Sequence, residues 1–249
     1  MYKFFINHSQ INENKAKIIG EDVNHIVNVL RLKKEDRIIL CDKNETISYM
    51  AEIIEMHRDY IICEIIEEIL ENIETNVKID LYQGLPKMDK MEYIIQKATE
   101  IGVRDIYPVI TKRCIVKLDE KSKTKKIERW QKIAEVAAKQ SKRDYIPKIE
   151  NVINLENICK NIEKYDIILL AYEEEKENTL KSALKKLEFN LDKEIKIGIV
   201  IGPEGGLDIE EVNKLKEAGA KSITLGKRIL RTETASLVIL SDIIYEFEL

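Results

Sequence analysis

Six of the chain's nine glycines, Gly198, Gly202, Gly205, Gly206, Gly219 and Gly226, fall within the single stretch Lys196–Ser236. Glycine clusters mark tight turns and close backbone approaches, so this stretch restricts the fold more than any other. Ile195–Ile201 has the composition of a buried strand and stops at Gly202–Gly206. Asp208 then opens a helix, with Glu211 three residues on as its capping-box partner. After Gly219 a second short strand, Ser222–Leu225, runs into Gly226 and the segment Lys227–Thr234, and a helix over Glu233–Phe247 follows. Two strands thus end in glycine-containing turns at a sheet's carboxyl edge, where open α/β sheets bind ligands.

The turn chemistry narrows the ligand. Leu207 and Asp208 stand where a nucleotide P-loop needs Lys and Ser/Thr, and the G-x-G-x-x-G order is also missing. Pro203 removes an amide donor and Glu204 repels phosphate, so a neutral or cationic nucleoside suits these loops better than an anion. Taken alone, the loop also reads as a turn that only reverses the chain.

Upstream, the pattern alternates. Val77–Gln83, Ile106–Ile110, Asp166–Ala171 and Ile195–Ile201 read as strands. Helices fall at Lys87–Ile101, Lys125–Ser141 and Thr179–Leu187. Such alternation predicts a parallel sheet covered on both faces. Before residue 75 the runs Tyr2–Ile6, Asp36–Cys41, Ile47–Met56 and Tyr60–Ile66, with one helix over Glu21–Leu32, predict a small barrel. Val23, Ile26, Val27 and Leu30 form that helix's apolar face.

No apolar run approaches the ~20 residues of a membrane helix, and no export signal opens the chain. Cys41, Cys63, Cys114 and Cys159 lie far apart and read as buried thiols of a reducing, cytoplasmic compartment, with no metal site. Charge is uneven. Residues 1–74 carry 9 Lys/Arg against 15 Asp/Glu, whereas Lys112–Lys148 carries 13 against 5. A basic stretch of that length is the footprint of a phosphate backbone, although Lys121–Lys126 alone reads as a solvated loop.

The segments IGPEGG (201–206) and LRTETA (230–235), about twenty residues apart, resemble the two C-terminal signatures of the RsmE family. The likeness extends through HIVNVLR (25–31), KMEYIIQKATEIG (90–102), RCIVKL (113–118) and WQKIAEVAAKQSKR (130–143), in the family's order. It implies a PUA-like β-barrel over residues 1–74 and a SPOUT-type α/β domain over residues 75–249 with a C-terminal trefoil knot. It further implies S-adenosyl-L-methionine as cofactor and methylation of uracil N3 in 16S ribosomal RNA of the small subunit.

Carried over motif by motif, the resemblance puts three loops around the cofactor. The first is Leu170, Ala171, Tyr172 and Glu173; the second is Ile201, Gly202, Pro203, Glu204, Gly205 and Gly206. The third comprises Leu225, Gly226, Leu230, Arg231, Thr232, Glu233 and Ala235. Arg31, Lys90, Arg113, Lys117, Lys139, Gln140, Ser141, Lys142 and Arg143 would face RNA. Three positions depart from the family: Lys3 stands near a usual Arg, Lys139 replaces a usual Glu, and Lys142 a usual Gly.

Uracil N3 becomes a nucleophile on losing its proton, which spreads negative charge over O2 and O4. Arg231 is the candidate to stabilise that charge through its planar fork. Glu204 is the candidate base, although Glu204 and Glu233 equally suit ribose hydroxyls or a helix cap. A catalytically silent RNA-binding module on the same fold is the alternative reading. Two intact glycine loops at one edge favour the enzyme, because an RNA clamp has no need of them. Finally, Ala235, Leu237, Val238, Ile239, Leu240, Ile243, Ile244, Tyr245 and Phe247 make the last helix apolar over more than one stripe, which predicts a homodimer.

Overall fold

The computed structural model describes every residue except 44–46, 71–72, 88, 117, 186–192 and 249. The chain divides into two compact units, Met1–Glu74 with Lys139–Ile146, and Thr75–Ala138 with Pro147–Leu249.

In the first unit the strands are β1 (Lys3–Ile6), β2 (Ile11–Asn12), β3 (Lys15–Ile19), β4 (Arg37–Asp42), β5 (Ser48–Met56) and β6 (Tyr60–Ile69). They form one mixed sheet in the order β1-β4-β5-β6-β3-β2, with β1 parallel to β4 and the other neighbours antiparallel. Alternate residues such as Ile38, Leu40, Ile53, Ile61 and Cys63 are fully buried beneath it, as the period of a strand demands. The helix expected over Glu21–Leu32 is shorter. α1 (Glu21–Asn24) passes into a π-helical turn at His25–Val29, and Arg31 takes a left-handed φ of 55°. The wider turn rotates the face, so Val23 and Ile26 are buried while Val27 is exposed.

Lys139–Ile146 clusters with this unit, away from the sequence division at 74/75, because buried polar pairs hold it there. The Lys3 ammonium lies 2.6 Å from Asp144 and 2.9 Å from the Lys142 carbonyl. Ser48 donates to Asp144, and the Cys41 thiol donates to the Asp144 carbonyl. Lys139 pairs with Asp22 at 2.8 Å.

The second unit is built on a seven-stranded, wholly parallel sheet. Its strands are β7 (Val77–Gly84), β8 (Asp105–Ile110), β9 (Lys148–Ile149), β10 (Ile153–Asn154), β11 (Ile167–Ala171), β12 (Ile195–Ile201) and β13 (Lys221–Ile223). The main order is β10-β8-β7-β12-β11-β13, with β9 also on β8. The central strands are apolar on both faces, as a doubly covered sheet requires. Ile79, Leu81, Ile197 and Ile199 enter one core with Met91, Ile94, Ile95 and Ala98 of α2 (Lys90–Ile101). Ile239, Leu240 and Ile243 of α7 (Thr232–Glu248) join the same core. Tyr82, Ile168, Leu170 and Val200 enter a second core with α4 (Leu155–Asn161) and α6 (Ile209–Ala218).

α3 (Glu120–Gln140) starts before the expected Lys125, because Asp119 accepts the Ser122 amide at 2.7 Å and caps it. Lys121–Lys126 therefore lies in helix, not loop. α5 (Leu180–Leu184) ends at its C-cap Lys185, short of the helix expected over Thr179–Leu187, of which residues 186 and 187 lie outside the described residues. The short elements β2, β3, β9, β10 and α4 have no counterpart in the sequence reading. Cys41 and Cys63 are buried, but Cys114 and Cys159 are only half-buried. Among the described residues no helix is long and apolar enough to cross a membrane.

Candidate functional site: a glycine-walled cleft at the carboxyl edge

β12, β11 and β13 are adjacent in the sheet, so the loops leaving their carboxyl ends meet. After Ile201 the chain turns through Gly202–Gly206, closed by the Gly206 amide on the Pro203 carbonyl at 2.9 Å. Only glycine permits this turn. A Cβ on Gly202 would stand 2.9 Å from the Gly206 carbonyl carbon, while Gly206 has φ 68° and a Cβ there would strike the Glu173 carboxylate. Asp208 and Glu211 form the expected capping box of α6. Gly226, in the loop after β13, has φ 113° with open space around it, so its backbone angle is what demands glycine.

These loops enclose a cleft of about 520 Å³. Of the cofactor positions named from the sequence, Ala171–Glu173, Ile201–Gly206, Leu225, Gly226, Leu230–Thr232 and Ala235 line it. Two do not. Leu170 is fully buried in the second core, one residue out of phase with the strand's end. Glu233 lines a neighbouring groove with Tyr93, Thr234, Leu237 and Val238. Thr224, Lys227, Arg228 and Ile229 line the cleft as well. The sequence signal for them was continuity with Gly226 and Arg231 in one loop.

The cleft's lining carries both charges. Glu173 and Glu204 belong to it, as do Lys227, Arg228 and Arg231 of the exposed segment after β13. Beyond Glu173, Glu175 accepts the amides of Lys176, Glu177 and Asn178. Burial raises its pKa, but hydrogen bonds, led by the Glu177 and Asn178 amides, outweigh that and lower it to about 2. This fixed charge shapes the loop.

Glu204 is not a free base. Its carboxylate accepts the Lys87 amide at 3.0 Å and lies 3.1 Å from the Lys90 ammonium. Burial raises its pKa, yet its own amide, that of Lys87 and Lys90 together bring it below the usual value. A depressed carboxylate with its oxygens engaged is a structural anchor and a weak proton acceptor. Lys90 also stands 3.3 Å from Glu233. Hydrogen bonding to Glu204 raises the Lys90 pKa despite desolvation. Lys90 is therefore a strut between two carboxylates at the cleft wall, not a free phosphate contact. Arg231 is exposed and forms no side-chain hydrogen bond or ion pair among the described residues.

The expected RNA wall divides between the units. Arg113, half-exposed in the second unit, donates to the Gly205 carbonyl at 3.1 Å and lies 3.7 Å from Asp208. Lys117 falls outside the described residues. In the first unit Arg31, Gln140 and Lys142 are exposed, Ser141 is half-buried, and Lys139 is paired. Arg143 contradicts the sequence expectation. Its side chain is 6% exposed and forked onto Glu74, at 3.0 Å from Nε and 2.6 Å from Nη2. A guanidinium in that position is a buried structural cation.

A family model described as an RNA methyltransferase domain matches residues 73–244, and one described as an RNA methyltransferase PUA domain matches residues 18–66. The "Ribosomal RNA small subunit methyltransferase E" of Bacillus subtilis is 41% identical over 252 residues, covering 100% of this chain and 98% of that protein. The chain belongs to the RsmE family. Among solved RsmE structures, the Neisseria gonorrhoeae enzyme bound to S-adenosyl methionine is 28% identical, with TM-score 0.85 over 99% of this chain and 98% of its own. A crystal structure described only as a hypothetical protein is 39% identical, with TM-score 0.89 over 99% and 98%. The RsmE signatures are thus the segments that wall the cleft described above.

Proposed function

We propose that the protein transfers a methyl group from S-adenosyl-L-methionine to N3 of a uridine in 16S ribosomal RNA of the small subunit. The observation that carries this reading is the meeting of three loops from adjacent parallel strands on one cleft that the exposed Arg231 also lines. The cleft's volume lies within the roughly 300–1,000 Å³ of small-ligand sites. Its glycine turn keeps backbone groups open to a nucleoside edge, and Glu173 offers a carboxylate to a positive centre. The residues present fit the cofactor.

Bound there, the cofactor supplies an electrophilic methyl on a sulfonium. The chain supplies alignment and charge. The three loops hold donor and acceptor in line, which is the main demand of such a displacement. Arg231 faces the uracil oxygens and stabilises the charge that appears when N3 gives its proton to solvent base. Lys227 and Arg228, beside it, meet RNA phosphates.

The working form is a homodimer. Support comes from α7, where Ile239, Leu240 and Ile243 are fully buried within the chain while Leu237 and Val238 remain half-buried in a groove with Tyr93. The expected compartment is the cytoplasm, where the substrate resides.

The test incubates the protein with labelled cofactor and small ribosomal subunits lacking the modification, then maps the methyl group by mass spectrometry. Label on uracil N3 of the 16S RNA is the expected result. Label elsewhere, or none with cofactor binding intact, overturns the reading.

A further inference from the structure

Gln83 is a polar residue at the apolar centre of the sheet. β7 is paired on both sides, with Gln83 opposite Ile201 of β12 and Pro108 of β8. Ile79 and Leu81, on the same face, are fully buried, and so is Gln83. A buried amide costs stability unless every polar atom is matched, so its partners indicate its purpose.

One of them, Thr232, lines the cleft. The Gln83 amide nitrogen donates to Thr232 Oγ1 at 2.9 Å and to the Gly84 carbonyl at 2.9 Å. Its oxygen accepts from Ser236 Oγ. Thr232 Oγ1 in turn donates to the Gly202 carbonyl at 2.6 Å, and Ser236 Oγ also reaches the Thr232 carbonyl at 2.9 Å. One side chain therefore links the end of β7, the first turn of α7 and the first residue of the glycine turn. Thr232 directly follows Arg231.

A separate observation points to the same place. A Cβ on Gly84 would lie 2.6 Å from the Pro203 nitrogen and 2.9 Å from the Gly202 carbonyl carbon. The end of β7 thus packs backbone to backbone beneath the Gly202–Pro203 turn. Neither Gln83 nor Gly84 lines the cleft. They form the platform on which it rests.

We infer that Gln83 is a positioning residue for the transfer reaction. Through Thr232 it sets the register between the glycine turn and the start of α7, and so between the cofactor loops and Arg231. Alignment governs an in-line displacement, and misplacement of about an ångström costs up to roughly a hundredfold. A closed buried network holds such a register better than an apolar contact, which slides.

The inference rests on the proposed methyl transfer, and the experiment separates the two. Gln83→Leu, Thr232→Val, the double variant and the conservative Thr232→Ser are compared by cofactor calorimetry, steady-state methylation of small subunits, RNA binding and thermal melting. The expected result is a loss of roughly tenfold or more in kcat or cofactor affinity for Gln83→Leu and for Thr232→Val. RNA binding should stay unchanged, Thr232→Ser should restore function, and the double variant should be no worse than the poorer single. If Gln83→Leu does not fold, Thr232→Val against Thr232→Ser carries the test. A lowered melting temperature with kcat and cofactor affinity within twofold of the parent overturns the inference, as does simple multiplication of the two single effects. A parent protein that binds cofactor but methylates no RNA defeats the proposed function alone, since calorimetry still reads the register.

Discussion

Arg143 and Glu74 meet through two parallel hydrogen bonds, Nε–Oε1 at 3.0 Å and Nη2–Oε2 at 2.6 Å, with side chains 6% and 11% exposed. Glu74 Oε1 also accepts the Asp144 amide at 3.2 Å. Removing one partner from such a pair leaves a buried charge uncompensated. Arg143→Ala should therefore destabilise the protein by about 3–5 kcal/mol, read as a lower urea midpoint. Charge reversal at the exposed Lys142 should leave that midpoint unchanged and weaken RNA binding with a flatter salt slope. Equal RNA defects at matched stability would return Arg143 to the RNA surface.

Lys142 carries its own cost. Its φ of 61° lies in the left-handed region, where a Cβ is disfavoured and glycine is at ease. Lys142→Gly should stabilise the fold by about 0.5–1 kcal/mol after allowing for glycine's greater unfolded entropy. The same variant should bind RNA more weakly, because it loses an exposed cation. A lower melting temperature would show that the lysine's contacts outweigh its strain.

Gly206→Val should abolish cofactor binding in calorimetry. The side chain needs both an unfavourable φ of 68° and the space filled by the Glu173 carboxylate. Gly226→Val should act through φ alone, since nothing lies within 4 Å of the Cβ position. Full affinity in Gly206→Val would take this turn out of the site.

The cleft was legible in the sequence because its determinants are local. Gly202–Gly206, the Asp208–Glu211 capping box and the apolar face of α2 each lie within a few residues of their partners. What stayed hidden depends on distance along the chain. Nothing near Arg143 reveals that Glu74 receives it, and nothing near Lys3 reveals Asp144. Gln83 gave one faint sign, a lone amide ending an apolar strand just before Gly84. α1 misled because residues 21–32 carry helical spacing, which a π-helical turn at His25 puts out of phase. β9 and β10 are two residues each, too short for periodicity to register.

Asp80 makes stability depend on pH. The carboxyl accepts the Tyr165 hydroxyl at 2.6 Å, and Tyr165 meets Tyr82 at 2.7 Å. Burial, only partly offset by Tyr165 and reinforced by Asp105, raises its pKa from 3.8 to about 6. The folded state then holds a proton that the unfolded state has released. The contribution is complete below pH 3.8 and is lost as pH climbs through about 6. The loss is at most about 3 kcal/mol. Asp80→Asn should remove this slope and raise stability at pH 7.5 relative to the parent, measured as the difference in urea midpoints at pH 5 and pH 7.5. Parallel parent and variant curves across that window would mean that Asp80 is ionised throughout.

Arg231 tests the chemistry itself. Its side chain is exposed and makes no hydrogen bond or ion pair among the described residues, so truncation removes no packing and leaves no partner stranded. Arg231→Ala should therefore melt within about 0.5 kcal/mol of the parent, as surface substitutions do. Cofactor affinity should change little, because glycine backbone and apolar side chains form most of the surrounding wall. The loss should fall on kcat. A donor that stabilises developing negative charge is worth about 10²–10³ in rate when removed. Arg231→Lys should recover only part, since an ammonium supplies charge but not the planar fork that reaches two oxygens. Raising pH should narrow the gap between Arg231→Ala and the parent, because bulk base then helps to generate the N3 anion that Arg231 stabilises. A variant that loses RNA affinity with kcat intact would make Arg231 a phosphate contact, and the charge at O2 and O4 would need another source.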